Sequence, residues 1–140
     1  MAMLNINPHK LAVGDKVKTN CDALVQDKLN RFGNMLGTNG KIHTDPEFAK
    51  TAPAGDVLVQ GMLVLAPLHS VFCTLFGEDV WLTHGAMECK LIGATHPSEA
   101  ITYDVEITAV EPNRVTLDYS CIKANDTKVA VGTATVGIEG

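Results

Sequence analysis

Five histidines could exchange protons near neutral pH: His9, His43, His69, His84 and His96. His43 is set apart by its neighbours. It lies in "GTNGKIHTDPEFAK", Gly37 to Lys50, after two glycines and directly before a helix-start pattern. Thr44 or Asp45 would cap that helix, Pro46 suits its first position, and Glu47 adds charge where the dipole favours it. A ring held between such a turn and a capped helix can be placed for general acid–base work. Asp45 is read as the cap, not as a second acid. His9 and His96 neighbour prolines in loop-like stretches and are expected to face solvent. His84 sits before Gly85 in a strand-like stretch.

Metal chemistry is not indicated. The histidines have no paired spacing, and Cys21, Cys73, Cys89 and Cys121 form no C-x-x-C. The cysteines are read as buried free thiols of a reducing compartment. The start, "MAMLNINPHKLAVGDKV", has no apolar signal core, so a cytoplasmic location is expected. The chain carries 16 acidic against 11 basic residues and only 5% aromatics. That balance argues against nucleic acid, which asks for basic stripes and stacking platforms.

The 140 residues are 46% apolar, enough for one domain, 1–140, with a real core. A first strand is expected over Lys16–Ala23. "VQDKLNRFGNML" places Val25, Leu29, Phe32, Met35 and Leu36 at helical spacing, and Gly37 follows as a stop. "VLVQGMLVLAPLHSVFCTLF", Val57 to Phe76, is apolar nearly all round. It is read as the central helix of a globular core and not as a membrane span. Beyond Gly77 the period changes to 2. Four strands are read in "DVWLTHGAMECKLIG", "AITYDVEITAVE", "RVTLDYSCIKA" and "KVAVGTATVGIE", with turns at "HPSE", "EPNR" and "NDT". Strands joined in this way are expected to be antiparallel. An antiparallel sheet wrapped around one apolar helix is an α+β architecture. Alternation puts Ile101, Tyr103, Val105, Ile107 and Ala109 on its covered face.

In these runs the chain resembles the MaoC-like dehydratase family, which includes the (R)-specific enoyl-CoA hydratases of hot-dog fold. The matching residues are Phe32, "GTNGKIH" (Gly37 to His43), "TDPEFA" (Thr44 to Ala49) and "VQGML" (Val59 to Leu63). The resemblance implies addition of water to an enoyl thioester, or its reverse, with no cofactor besides the CoA or acyl-carrier group on the substrate. In that family an aspartate and a histidine five residues apart grip one water. A backbone N–H at the start of the central helix holds the thioester oxygen. His43 and Gly61 match those roles. The aspartate position is Thr38, and the family's second histidine, before the glycine, is Gln60.

Thr38 and Asn39 do not titrate, so they are expected to orient water or substrate by hydrogen bonding only. His69 lies eight residues past Gly61, about two helical turns, and could share its face. A His43/His69 pair would then supply both proton-transfer groups. The plainer role for His69 is a polar residue under a strand with one hydrogen bond.

Three readings follow. One is a hydratase or dehydratase of acyl thioesters, or a related elimination or isomerisation, with His43 as acid/base. Another is a non-catalytic hot-dog subunit that pairs with an active chain. The third is thioester hydrolysis with Asp56 as the water-activating carboxylate, although Asp56 equally suits a helix cap. A sheet edge left open predicts at least a dimer, through the strand from Ala86 to Leu91 or through the last strand.

Overall fold

A computed structural model of the chain describes residues 10–138. His9 lies outside them. The elements run β1 (Lys16–Asn20), α1 (Gln26–Leu36), α2 (Lys41–Thr44), α3 (Pro46–Thr51), α4 (Gly61–Phe76), α5 (Glu78–His84), β2 (Gly85–Leu91), β3 (Thr102–Glu111), β4 (Arg114–Lys123) and β5 (Thr127–Gly137). The five strands form one antiparallel sheet in the order β1-β3-β4-β5-β2.

α4 and the covered face of the sheet make the core. Val64, Leu65, Leu68, Val71, Phe72, Leu75 and Phe76 of the helix are buried with Ile101, Tyr103, Val105 and Ile107. Tyr103 seals the contact by donating its hydroxyl to the Val64 carbonyl at 2.6 Å. Phe72 meets the Tyr119 ring edge-on at 6.2 Å between centroids. The expected alternation therefore holds along β3 until a bulge between Ile107 and Ala109 shifts the register and leaves Ala109 half-buried.

Several boundaries differ from the sequence reading. The central helix starts at Gly61, not Val57. Residues 57–60 stay extended because their backbone groups pair outward: Leu58 N–H donates to the Ile42 carbonyl at 3.1 Å and Val59 N–H to the Thr95 carbonyl at 2.8 Å. The stretch 79–84, read as the start of a strand, belongs to the helix α5. Its acidic start, Glu78 and Asp79, follows Gly77 directly, and the two helices are bent by 115° there. Trp81 anchors α5 by packing on Phe72 at 4.6 Å between centroids.

The structure decides between the two candidate edge strands. β2, which contains Ala86–Leu91, is an edge together with β1, whereas the last strand, β5, lies inside the sheet between β4 and β2. Of the four cysteines, which are all free, Cys121 is buried but Cys89 is exposed. His96 does not face solvent fully. It is half-buried, with Nδ1 at 2.8 Å from the Val57 carbonyl. No single described helix is long and apolar enough to cross a membrane.

Candidate active site

The turn before His43 begins at Gly37, which ends α1 with φ 75°, a left-handed conformation that suits glycine. The chain then closes into the short helix α2, with His43 N–H bonded to the Gly40 carbonyl at 2.9 Å. Asp45 separates α2 from α3. Its Oδ1 accepts from Phe48 N–H at 3.1 Å, and Pro46 holds the first helical position, so the expected cap is present. Gln26 of α1 donates to the His43 carbonyl at 2.8 Å and ties α2 to α1.

These ties leave the imidazole little freedom. His43 Nδ1 lies 2.7 Å from the Leu58 carbonyl oxygen. A carbonyl has no proton to give, so Nδ1 carries the hydrogen and Nε2 of the neutral ring keeps its lone pair. His43 is half-buried and lines a cavity of about 160 Å³ with Leu58, Gly61, Leu91, Thr95 and Val129 among its walls. None of the lining residues is Asp or Glu.

Gly61 brings the start of α4 to the same cavity. Gln60 makes no side-chain cap bond and the first turn has no acidic residue; Leu63 N–H bonds the Gln60 carbonyl at 2.9 Å, which leaves the N–H groups of Gly61 and Met62 without an intrahelical partner. A Cβ at Gly61 would run into Leu91 Cδ1. The glycine thus admits the close approach of a side chain that covers the helix start.

Gln60 stands where a histidine was expected from the resemblance. It is 2% exposed, and its Nε2 donates to the Leu29 carbonyl at 2.8 Å and the Thr38 carbonyl at 3.3 Å. It therefore acts as a strut between α1 and the turn before α2.

The other expected site residues do not converge on His43. Thr38 and Asn39 are exposed and outside the cavity lining; Asn39 offers its carbonyl to Thr44 Oγ1 at 3.2 Å. His69 is exposed, accepts the Trp81 indole N–H at 3.1 Å through Nδ1, and is absent from the cavity wall. Its two-turn offset from Gly61 was legible, but Trp81 was hidden in a stretch read as strand. Asp56 is not the cap of α4, because that helix begins five residues later. Its Oδ1 accepts from Val57 N–H at 2.7 Å, and it too is outside the lining. Among the described residues no group of three or more His, Cys, Asp or Glu could hold a metal. Sequence reasoning missed Thr95, a cavity residue with no motif around it.

The family model described as MaoC-like domain matches residues 9–129. The chain belongs to that family. A MaoC-like domain carries the hot-dog fold, and the sheet wrapped on α4 is that fold here. No curated protein matches the chain by sequence. Among solved structures, it is similar to the unliganded (R)-hydratase PhaJ1 of Pseudomonas aeruginosa, with TM-score 0.83 and 18% identity over 97% of this chain and 88% of that one. It is also similar to the (R)-hydratase of A. caviae involved in PHA biosynthesis, with TM-score 0.77 and 23% identity over 91% and 96%. A third likeness is to the C-terminally truncated HadBC complex of Mycobacterium tuberculosis, a (3R)-hydroxyacyl-ACP dehydratase, with TM-score 0.74 and 11% identity over 96% and 100%. At these identities the structural likeness speaks for the MaoC-like fold alone.

Proposed function

We propose that this MaoC-like chain hydrates an enoyl thioester, or dehydrates a 3-hydroxyacyl thioester, with His43 as its acid/base. One observation carries the reading. Nδ1 of His43 is held by the Leu58 carbonyl, which leaves Nε2 as a base in a cavity shared with Gly61 at the start of α4.

The chemistry then runs with one proton carrier. The water oxygen bonds to C3 of the enoyl group while one of its protons passes to His43 Nε2. The C2=C3 pair shifts toward the thioester, whose oxygen gains enolate charge beside the Gly61 N–H. The imidazolium returns the proton to C2 and the 3-hydroxyacyl thioester forms. The reverse sequence expels water. The carrier is CoA or an acyl-carrier protein.

A second reading has a specific observation behind it. The lining contains no carboxylate and Thr38 replaces the family's aspartate, as a non-catalytic hot-dog subunit would. The open β2 edge fits pairing with a second copy or with a catalytic hot-dog chain. Four free thiols suit a reducing, cytoplasmic setting.

The test is to mix the purified chain with a panel of enoyl-CoA esters and follow loss of the conjugated thioester absorbance. Turnover that disappears in His43→Ala supports the hydratase reading. Silence with retained acyl-CoA binding removes it in favour of the subunit reading.

A further inference from the structure

The cavity beside His43 contains a polar side chain that the steps above leave idle. Thr95 lines it, is 3% exposed, and its Oγ1 has no hydrogen-bond partner. A hydroxyl removed from water without a partner is a net cost to the fold, so such an orphan calls for a reason. Gln60 Oε1 is also buried and unpaired, but Gln60 does not line this cavity.

The backbone around Thr95 is well held. Its carbonyl accepts from Val59 N–H at 2.8 Å, and the next residue, His96, reaches the Val57 carbonyl at 2.8 Å. His43 is bonded to the carbonyl of Leu58, the residue between. One extended segment, residues 57–59, therefore carries the His43 ring and the Thr95 backbone on consecutive residues, and it leads directly to Gly61. The fold places His43, the start of α4 and Thr95, whose hydroxyl has no partner, on the wall of one small space with no carboxylate in it.

We propose that Thr95 Oγ1 is the second contact of the reacting oxygen, the water that adds at C3 or the hydroxyl that leaves from it. The inference rests on the hydratase reading above. A threonine hydroxyl does not ionise near neutral pH, so Thr95 is no base. It accepts one O–H of the water, while the other O–H faces His43 Nε2. The water then gives one proton to His43, keeps the other, and directs a lone pair at C3. The role left by the missing aspartate is split, with proton transfer on His43 and orientation on Thr95.

The test compares wild type with Thr95→Val, Thr95→Ser and His43→Ala for enoyl-CoA hydration and for melting temperature. Valine keeps the shape and removes the hydroxyl. Thr95→Val should lose about tenfold or more in kcat with KM changed by less than about threefold, the pattern of a lost contact to the reacting water. Its melting temperature should equal or exceed that of wild type, because a buried orphan has been removed. Thr95→Ser should turn over near the wild-type rate. Thr95→Val with wild-type kcat, beside an inactive His43→Ala, would overturn the role of Thr95 and leave the hydratase reading standing. Melting of Thr95→Val several degrees below wild type would show that the hydroxyl supports the fold, and would overturn the proposal equally. A wild-type chain with no turnover would remove the hydratase reading and this inference with it.

Discussion

Leu58 holds two consecutive residues of α2, Ile42 and His43. Its carbonyl accepts from His43 Nδ1 at 2.7 Å, and its N–H donates to the Ile42 carbonyl at 3.1 Å. The ring and the backbone beside it are thus fixed to one residue of another segment. Fixing one nitrogen in this way sets the tautomer and leaves the other free for chemistry. His43→Ala should fold with the wild-type circular dichroism and lose at least about a hundredfold in rate, the usual worth of a general acid/base. Nitrogen NMR of His43 should show hydrogen on Nδ1 in the neutral ring. A neutral ring protonated at Nε2 would contradict the assignment of the base.

Position 38 gives a sharper contrast with the family pattern. Thr38 is exposed and outside the cavity lining. Restoring the carboxylate alone, as Thr38→Asp, should leave hydratase activity on crotonyl-CoA within about threefold of wild type, because a charge beyond hydrogen-bond reach of the water cannot act as its base. A gain of tenfold or more would place residue 38 at the reacting water after all.

Gly61 is tested through its neighbour. A methyl group there collides with Leu91 Cδ1 at the cavity wall. Gly61→Ala should raise KM about tenfold, because the exposed Leu91 side chain must swing away from the new methyl and so redraw the cavity wall. Gly61→Ala combined with Leu91→Ala should recover much of that loss, since the shortened side chain clears the space. Additive losses in the double variant would mean that the two residues do not meet.

Gln60 is predicted to be structural. Removing its amide as Gln60→Ala strips a partner from the buried Leu29 carbonyl and from the Thr38 carbonyl. Unfolding in urea should show a loss of about 1–3 kcal/mol. An unchanged urea midpoint would dismiss the strut.

Alkaline pH should weaken the fold. Burial pushes the Cys121 thiol up to about 12 from its ordinary 9.0, and burial raises Tyr103 and Tyr119 in the same direction. Above the ordinary thiol value the unfolded chain releases protons that the native chain keeps. The unfolded state then binds fewer protons, and stability falls as pH rises. The contribution is complete below about pH 9 and is lost progressively toward about pH 12. The urea midpoint at about pH 10.5 should lie below that at about pH 8. Equal midpoints would mean that these groups titrate alike in both states.

Local patterns carried much of this architecture. Alternation along "ITYDVEITAV" marked the buried face of β3, where Ile101, Tyr103, Val105 and Ile107 are covered as expected. Gly37 stopped α1, and the Asp45–Pro46 pair started α3. Such features act over one turn of chain, so residue type and spacing express them directly. The HTDPEFA run and Gly61 likewise carried the family relation, because each lies in a short run of matching residues at a fixed spacing. Residues 79–84 misled, since Val80 and Leu82 alternate with polar neighbours, and the helix is anchored by Trp81 meeting Phe72, a contact nine residues away.

Long-range pairing decided the rest. The strand order that moved β5 inside the sheet depends on which edges meet, and alternation is the same for an edge and a central strand. His69 turned to Trp81 and not to His43 because a bend at Gly77 brings α5 back along α4. Thr95 entered the site through Val59, thirty-six positions away, with no local sign in "GATHPS". The sequence by itself singled out His43 and the turn and capped helix that flank it, because those signals are local. Only the tertiary structure decided what stands beside it, because the walls of the cavity come from segments that meet through backbone hydrogen bonds, and backbone groups are the same in every residue.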